Sequence, residues 1–170
     1  MWWTFVGSLA VALVTVWLAQ LWSSKRHYYK TLQNLRAEIS SNIEVSNLIC
    51  EWVGKNLRAS AEDKLLVAGC PHLHDSAWVL ARGDLFARDY DMMRSLEDSY
   101  FKIDVINELI RTYRGYTWGI GVAASGSRER QESALKCVRD TTTNHLLPKL
   151  KDAGELLDSK LEHSGIILYR

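Results

Sequence analysis

An excess of charge of either sign is what this chain lacks first. Its 21 Lys and Arg stand against 20 Asp and Glu, a formal net charge of +1, so no global field marks it for nucleic acid. Proline occurs twice in 170 residues, which excludes a collagen or a Pro-rich linker. Three cysteines, Cys50, Cys70 and Cys137, are an odd number and too few for a disulfide scaffold, so a reducing compartment is the easier reading. No segment alternates apolar and polar residues between turn signals, so no sheet is expected. Internal repeats and low-complexity runs are also missing. What is present is a chain 47% apolar and 24% charged, of a size for one domain, alone or with an appendage.

Residues 1–22 carry no charged side chain, and the only residues there that are not apolar are Thr4, Gly7, Ser8, Thr15 and Gln20. As a helix the segment is about 33 Å long, enough for a hydrocarbon core of about 30 Å. Trp2 and Trp3 stand at one end, Trp17 and Trp22 at the other, as at the two interfaces of a bilayer. A cleaved signal peptide would want a basic start and an A-x-A-like site, and neither is there. A buried core helix is the remaining alternative. Lys25, Arg26 and Lys30 follow directly. The basic flank predicts a single-pass membrane protein with its amino terminus outside and its body cytoplasmic. The lipid bilayer is then the first expected partner, and these basic residues with the four Trp are its interface residues.

The rest reads as helices. Residues 23–59 form a long juxtamembrane helix continuing the span, with Leu32, Leu35, Ile39, Ile43, Ile49, Val53 and Leu57 at three- and four-residue steps. Residues 60–170 complete a bundle, so that 23–170 make one domain. A short helix is expected over 61–68, ended by Gly69 and Pro71. Another is expected over 76–82, capped by Asp75 and followed by Gly83. Asp89 is placed to cap a long helix carrying Met93, Leu96, Tyr100, Ile103, Ile106 and Ile110 and ending near Gly115. Residues 115–127 read as a loop. A last helix runs from about 127 to 163, with a kink or break near Asn144 because of Pro148, and ends at Gly165. The expected fold is all-α: an N-terminal transmembrane helix continuing into a small antiparallel helical bundle.

Few groups converge toward chemistry. Cys70-Pro71-His72-Leu73-His74-Asp75 places a thiol, two imidazoles and a carboxylate within six residues, which makes Cys70, His72, His74 and Asp75 weak metal-ligand candidates. The spacing suits an extended strand, Pro71 and a capping Asp75 argue for a turn, and no second cluster supplies further ligands. A nucleophilic Cys70 or Cys137 lacks a neighbouring base. The glycines at 119, 121 and 126 match no phosphate-loop pattern. Glu97, Asp104 and Glu108 read as a solvated helix face, since no E-x-x-H pair accompanies them. No catalytic residue, cofactor or metal is therefore expected. Two positions stand out as structural: Asn42 and Asn107 each fall in an apolar stripe, where a polar residue tends to fix register, and they are expected to face each other or to bond to backbone. Tyr116, Trp118, Ile120 and Val122 are apolar residues in the expected loop and are candidates for contact with membrane or protein.

The run L-x-x-E-I-x-x-N at 35–42, Ser76-Ala77-Trp78, Gly83-Asp84-Leu85, and Y-x-x-I-x-x-x-N at 100–107 resembles a loose group of uncharacterised microbial single-pass membrane-anchored helical proteins. The resemblance covers about residues 1–110; it implies a membrane-anchored bundle and carries over no activity. The expectation for function is a non-enzymatic, membrane-anchored interaction or scaffolding module, or an accessory subunit of a larger membrane complex, with a membrane protein partner or a homo-oligomer and no nucleic acid. The alternatives are a membrane-linked stress or phage-defence effector acting by self-assembly, and a metal-dependent enzyme at residues 70–75.

Overall fold

The computed structural model describes residues 2–61, 69–118 and 127–168; the side chains of 2–7, 9, 60, 61, 115–118, 127 and 165–168 lie outside that description. Among the described residues the fold is all-helical. Helix α1 (Trp2–Ala61) is followed by α2 (Ser76–Arg88), α3 (Tyr90–Trp118), α4 (Ser127–Thr141), a π turn (Thr142–Leu146) and α5 (Leu147–Leu168).

The 60 residues of α1 make an unbroken rod about 90 Å long. Its buried side follows a stricter rule than the apolar stripe alone suggests. Leu32, Leu35, Ile39, Asn42, Ser46, Ile49, Val53 and Asn56 alternate steps of three and four, and all eight are 0% exposed. A seven-residue period of this kind is the seam of coiled-coil packing. Ile43 and Leu57, expected on the stripe, are only half-buried at its edge.

The helices around this seam alternate in direction along the chain. Arg36 faces Asp158 and Cys50 faces Thr143, so α5 and the π turn run antiparallel to α1. Tyr28, Glu38 and Asn56 face Asp89, Tyr100 and Tyr113, so α3 runs parallel to it. Between them α2 runs antiparallel to both, bonding Ala77 to Glu38 and Arg88 to the Ser24 carbonyl on α1, and stacking Trp78 on Tyr100 and pairing Arg82 with Glu97 on α3. With α4, the π turn and α5 taken as one continuous helix, each helix thus runs opposite to the one before it in the chain.

Pro148 does not break the last helix. It lacks an N–H for the carbonyl four residues back, and the chain widens locally instead, with the Leu147 N–H reaching the Thr142 carbonyl. The backbone stays helical on both sides of the turn, so the expected kink becomes a π bulge. Glycine likewise fails as punctuation. Gly83 lies within α2, Gly115 within α3 and Gly165 within α5; a single helical glycine costs only about 1 kcal/mol, less than the packing around it supplies. The helix expected over 61–68 falls largely outside the described residues.

The single-pass expectation is overturned: among the described residues no helix is long and apolar enough to cross a membrane. The span, its orientation and the cytoplasmic placement of the body are therefore withdrawn. With them goes the interface role of Trp17, Trp22, Lys25, Arg26 and Lys30, which are simply exposed; the side chains of Trp2 and Trp3 lie outside the described residues.

Candidate functional site

The polar residues within the α1 seam organise the centre of the molecule. Asn42 Nδ2 donates to the His74 carbonyl at 2.7 Å, and its Oδ1 accepts from the His74 N–H at 2.8 Å. From α3, Asn107 repeats the pattern one residue earlier: its Oδ1 accepts from the Leu73 N–H at 3.2 Å and its Nδ2 donates to the Leu73 carbonyl at 3.1 Å. Each side-chain amide takes both backbone groups of one residue, as a neighbouring β-strand would. The two asparagines do not bond to each other; they grip the segment leading into α2 from opposite helices. Arg114 adds a third tie, donating from Nη2 to the Cys70 carbonyl at 2.8 Å. Leu73 is 0% exposed, so without the Asn107 amide its backbone would be buried unpaired, at a cost of about 1–3 kcal/mol per group.

One turn before Asn42, Glu38 performs the capping expected of Asp75. Asp75 makes no side-chain cap on α2. The Glu38 carboxylate accepts instead from Ala77 N–H at 2.7 Å, Trp78 N–H at 3.2 Å and the Ser76 hydroxyl at 3.1 Å. Backbone N–H groups at a helix start are orphan donors that favour a negative charge, and here the charge comes from another helix. The fourth partner is Tyr100, whose hydroxyl donates to Glu38 Oε1 at 2.7 Å. Burial, reinforced by the bond to Glu38, pushes the Tyr100 hydroxyl far above its ordinary value. It therefore keeps its proton and remains a donor. Its ring is stacked on that of Trp78, with centroids 4.8 Å apart and planes nearly parallel, closing the apolar side of the junction.

A second junction stands where α1 leaves the bundle. Asp89 Oδ1 accepts from the Met92 N–H at 3.2 Å and caps α3, as its position before the helix led us to expect. Its Oδ2 accepts from Lys160 Nζ of α5 at 2.6 Å and from the Tyr28 hydroxyl of α1 at 3.3 Å. Burial pushes the Asp89 carboxyl up, but the Lys160 and Met92 hydrogen bonds more than offset it and hold the group below the usual carboxylate range. Tyr28 is raised to about 12 by burial and by the Asp89 charge. Alongside, His27 Nε2 lies 2.9 Å from Asp84, and Arg88 donates to the Ser24 carbonyl at 3.1 Å. A depressed carboxyl contributes stability at pH values above its unfolded pKa and loses it as pH falls through the folded value. Asp89→Asn should therefore cost about 1 kcal/mol at pH 7, and the difference from the wild type should narrow below about pH 4. Urea unfolding at pH 7 and pH 3 measures both.

The metal-ligand candidates do not converge. Cys70 is buried and its carbonyl is tied to Arg114, while His72, His74 and Asp75 are exposed. Burial pushes the Cys70 thiol up to about 12, against a smaller opposing effect of Arg114, so it stays protonated and a poor ligand or nucleophile. Among the described residues no group of three or more His, Cys, Asp or Glu is placed to hold a metal ion. Three carboxylates of α3 form surface ion pairs, Glu97 with Arg82, Asp98 with Lys149 and Glu108 with Arg111, and Asp104 is exposed. Of the expected contact loop, Ile120 and Val122 lie outside the described residues. Tyr116 and Trp118 fall on the last turn of α3, with side chains that are not described. A cleft of about 520 Å³ opens beside Gly54, lined by Glu51, Lys55, Leu57, Arg58 and Arg139.

Apolar exposure is concentrated elsewhere. Every described residue from 10 to 23 is exposed, including Val11, Leu13, Trp17 and Trp22. On the α2–α3 hairpin Val79, Leu80, Phe86, Tyr90 and Phe101 are exposed too, Leu80 at 84%. No family model, curated protein or solved structure matches this chain.

Proposed function

We propose that this chain is a non-enzymatic interaction module, a scaffold or an accessory subunit of a larger protein assembly. Its bundle holds the root of α1 rigidly, and the exposed first part of α1 is the surface that another protein chain covers. The observation that carries this reading is the run of large apolar side chains, Val11, Leu13, Val14, Val16, Trp17, Leu18, Leu21 and Trp22, each at least 40% exposed. A contiguous apolar surface of this kind is a contact site as a rule, and Trp is among the residues most enriched where contact energy concentrates. The polar groups of the buried junction support the non-catalytic part of the reading, because their donors and acceptors are committed to holding helices and the 70–78 backbone together.

Hydroxyl-radical footprinting of the chain in its own cells tests the contact. Trp17 and Trp22 should be modified several-fold less than Phe101, which is similarly exposed at 59%. Modification of the two tryptophans at the rate of Phe101 would leave the surface bare and the reading without support.

A further inference from the structure

We propose that the cleft beside Gly54 binds a small phosphorylated polyol of the sugar-phosphate class, its phosphoryl group between Lys55, Arg58 and Arg139 and its hydroxyls toward Glu51. These residues belong to the other end of the bundle from the exposed part of α1, so the inference is independent of the contact proposed there.

The register of two helices makes the cleft. Cys50 of α1 lies against Thr143 of the π turn. Four residues on in α1 stands Gly54, and four residues back in the antiparallel chain stands Arg139. Arg139 is thus level with a residue that has no side chain, and both line the cleft. A Cβ at Gly54 would meet nothing within 4 Å. Packing therefore does not demand glycine here, although glycine inside a helix costs about 1 kcal/mol relative to alanine. What the missing side chain does is leave an open floor between the charged walls. The volume of about 520 Å³ falls within the range of about 300–1,000 Å³ of small-molecule sites.

The walls are unevenly charged. Lys55, Arg58 and Arg139 bring three positive charges to the cleft and Glu51 one negative charge, and all four side chains are exposed. Glu51 precedes Lys55 by four residues, the favoured order for a helical ion pair. Yet among the described residues neither of them forms an ion pair, and neither does Arg58. Arg139 meets the carboxylate of its own chain neighbour, Asp140, at 3.3 Å. Cations gathered around one cleft repel each other, and an anion between them relieves the repulsion.

The donor set selects the anion. Guanidinium groups match phosphate oxygens in pairs, and an ammonium adds a point charge. A terminal phosphoryl group offers three oxygens, one for each cation, where a carboxylate offers two. Glu51 only accepts hydrogen bonds when ionised, so the ligand brings hydroxyl donors to it instead of a second anionic group. Among the described residues no aromatic side chain lines the cleft, and Trp52 nearby in the sequence is buried in the core. A nucleobase would find no ring to stack on, which separates a sugar phosphate from a nucleotide.

Isothermal titration calorimetry of the full chain in low-salt buffer, with glucose 6-phosphate as the probe, is expected to show one site per chain. Its dissociation constant should lie about tenfold below that of inorganic phosphate, and glucose should give no heat. Arg58→Ala and Arg139→Ala should each weaken binding about tenfold, as the loss of a charge-assisted hydrogen bond does. Gly54→Leu should close the floor and abolish binding with an unchanged circular dichroism signal, because nothing within 4 Å opposes its Cβ. Lys151→Ala, an exposed cation outside the cleft, should bind as the wild type does. No heat with glucose 6-phosphate, equal affinity for it and for inorganic phosphate, or binding indifferent to Arg58→Ala and Gly54→Leu would each overturn the proposal. Binding of polyglutamate in place of the sugar phosphate would overturn it too and give the cleft to an acidic protein segment.

Discussion

Glu38→Ala is expected to cost the bundle about 3–5 kcal/mol, the scale at which a buried polar network loses its shared partner. The carboxylate accepts four hydrogen bonds from Ser76, Ala77, Trp78 and Tyr100, and an alanine leaves the Trp78 N–H and the Tyr100 hydroxyl buried without an acceptor. For a chain of this size that is a fall in Tm of about 10 °C or more. Glu38→Gln keeps one acceptor oxygen and turns the other into a donor facing N–H groups, so it should fall between the two, at about 2 kcal/mol. The same order is expected in urea: wild type above Gln above Ala, with an unchanged denaturant slope. Equal midpoints for wild type and Glu38→Ala would mean that α2 starts without this cap.

The second large effect concerns the two asparagines. Asn42→Ala and Asn107→Ala should each cost about 2–3 kcal/mol, since each removes two part-buried hydrogen bonds and leaves the backbone pair of His74 or Leu73 without its partner. The double variant should cost less than the sum, by about 1 kcal/mol, because the residues hold one segment and its release is shared. Strict additivity would mean that the segment is gripped at two independent points. A cycle with Arg114→Ala, whose bond to the Cys70 carbonyl holds the start of the same segment, should show the same coupling with a smaller amplitude.

These effects explain how far the sequence could be read. Helices were legible throughout, because the three- and four-residue spacing of apolar positions is a backbone period that tertiary contacts do not alter. Asn42 and Asn107 were legible as polar residues in apolar stripes. Their partner was not, because nothing local says that residues 73 and 74 pass between α1 and α3. Glu38 was missed for a similar reason. It sits one turn before Asn42 on the same helical face, and a carboxylate in a stripe reads as a solvated edge until α2 is seen to begin on top of it. The signal was present in the short motifs at 35–42, 76–78 and 100–107, where Glu38, Asn42, Trp78, Tyr100 and Asn107 all appear. They read as packing positions, but the structure joins them around one segment.

Other misreadings have local causes. Asp75 precedes α2 and has the residue type of a cap, but a side chain from α1 already satisfies the N–H groups it would have taken. Pro148 has the residue type of a break, but it stands in the first turn after a π bulge, where its missing N–H is tolerated. The membrane span rested on hydropathy counted from Met1, and the finding that no helix among the described residues is long and apolar enough to cross a membrane removes that inference. What remains of it is the physical fact that produced it: large apolar side chains from Val11 to Trp22 stand in the open.

The account depends most on a bundle locked by the grip of Asn42 and Asn107 on the segment before α2, which gives the exposed part of α1 a rigid base. Amide hydrogen exchange of the full chain reads that grip at two positions. The account predicts that the Leu73 and His74 amides exchange as slowly as the core of α3, and that Asn42→Ala releases His74 by at least a hundredfold while α3 stays protected. Exchange of both amides at the free-chain rate in the wild type would contradict it.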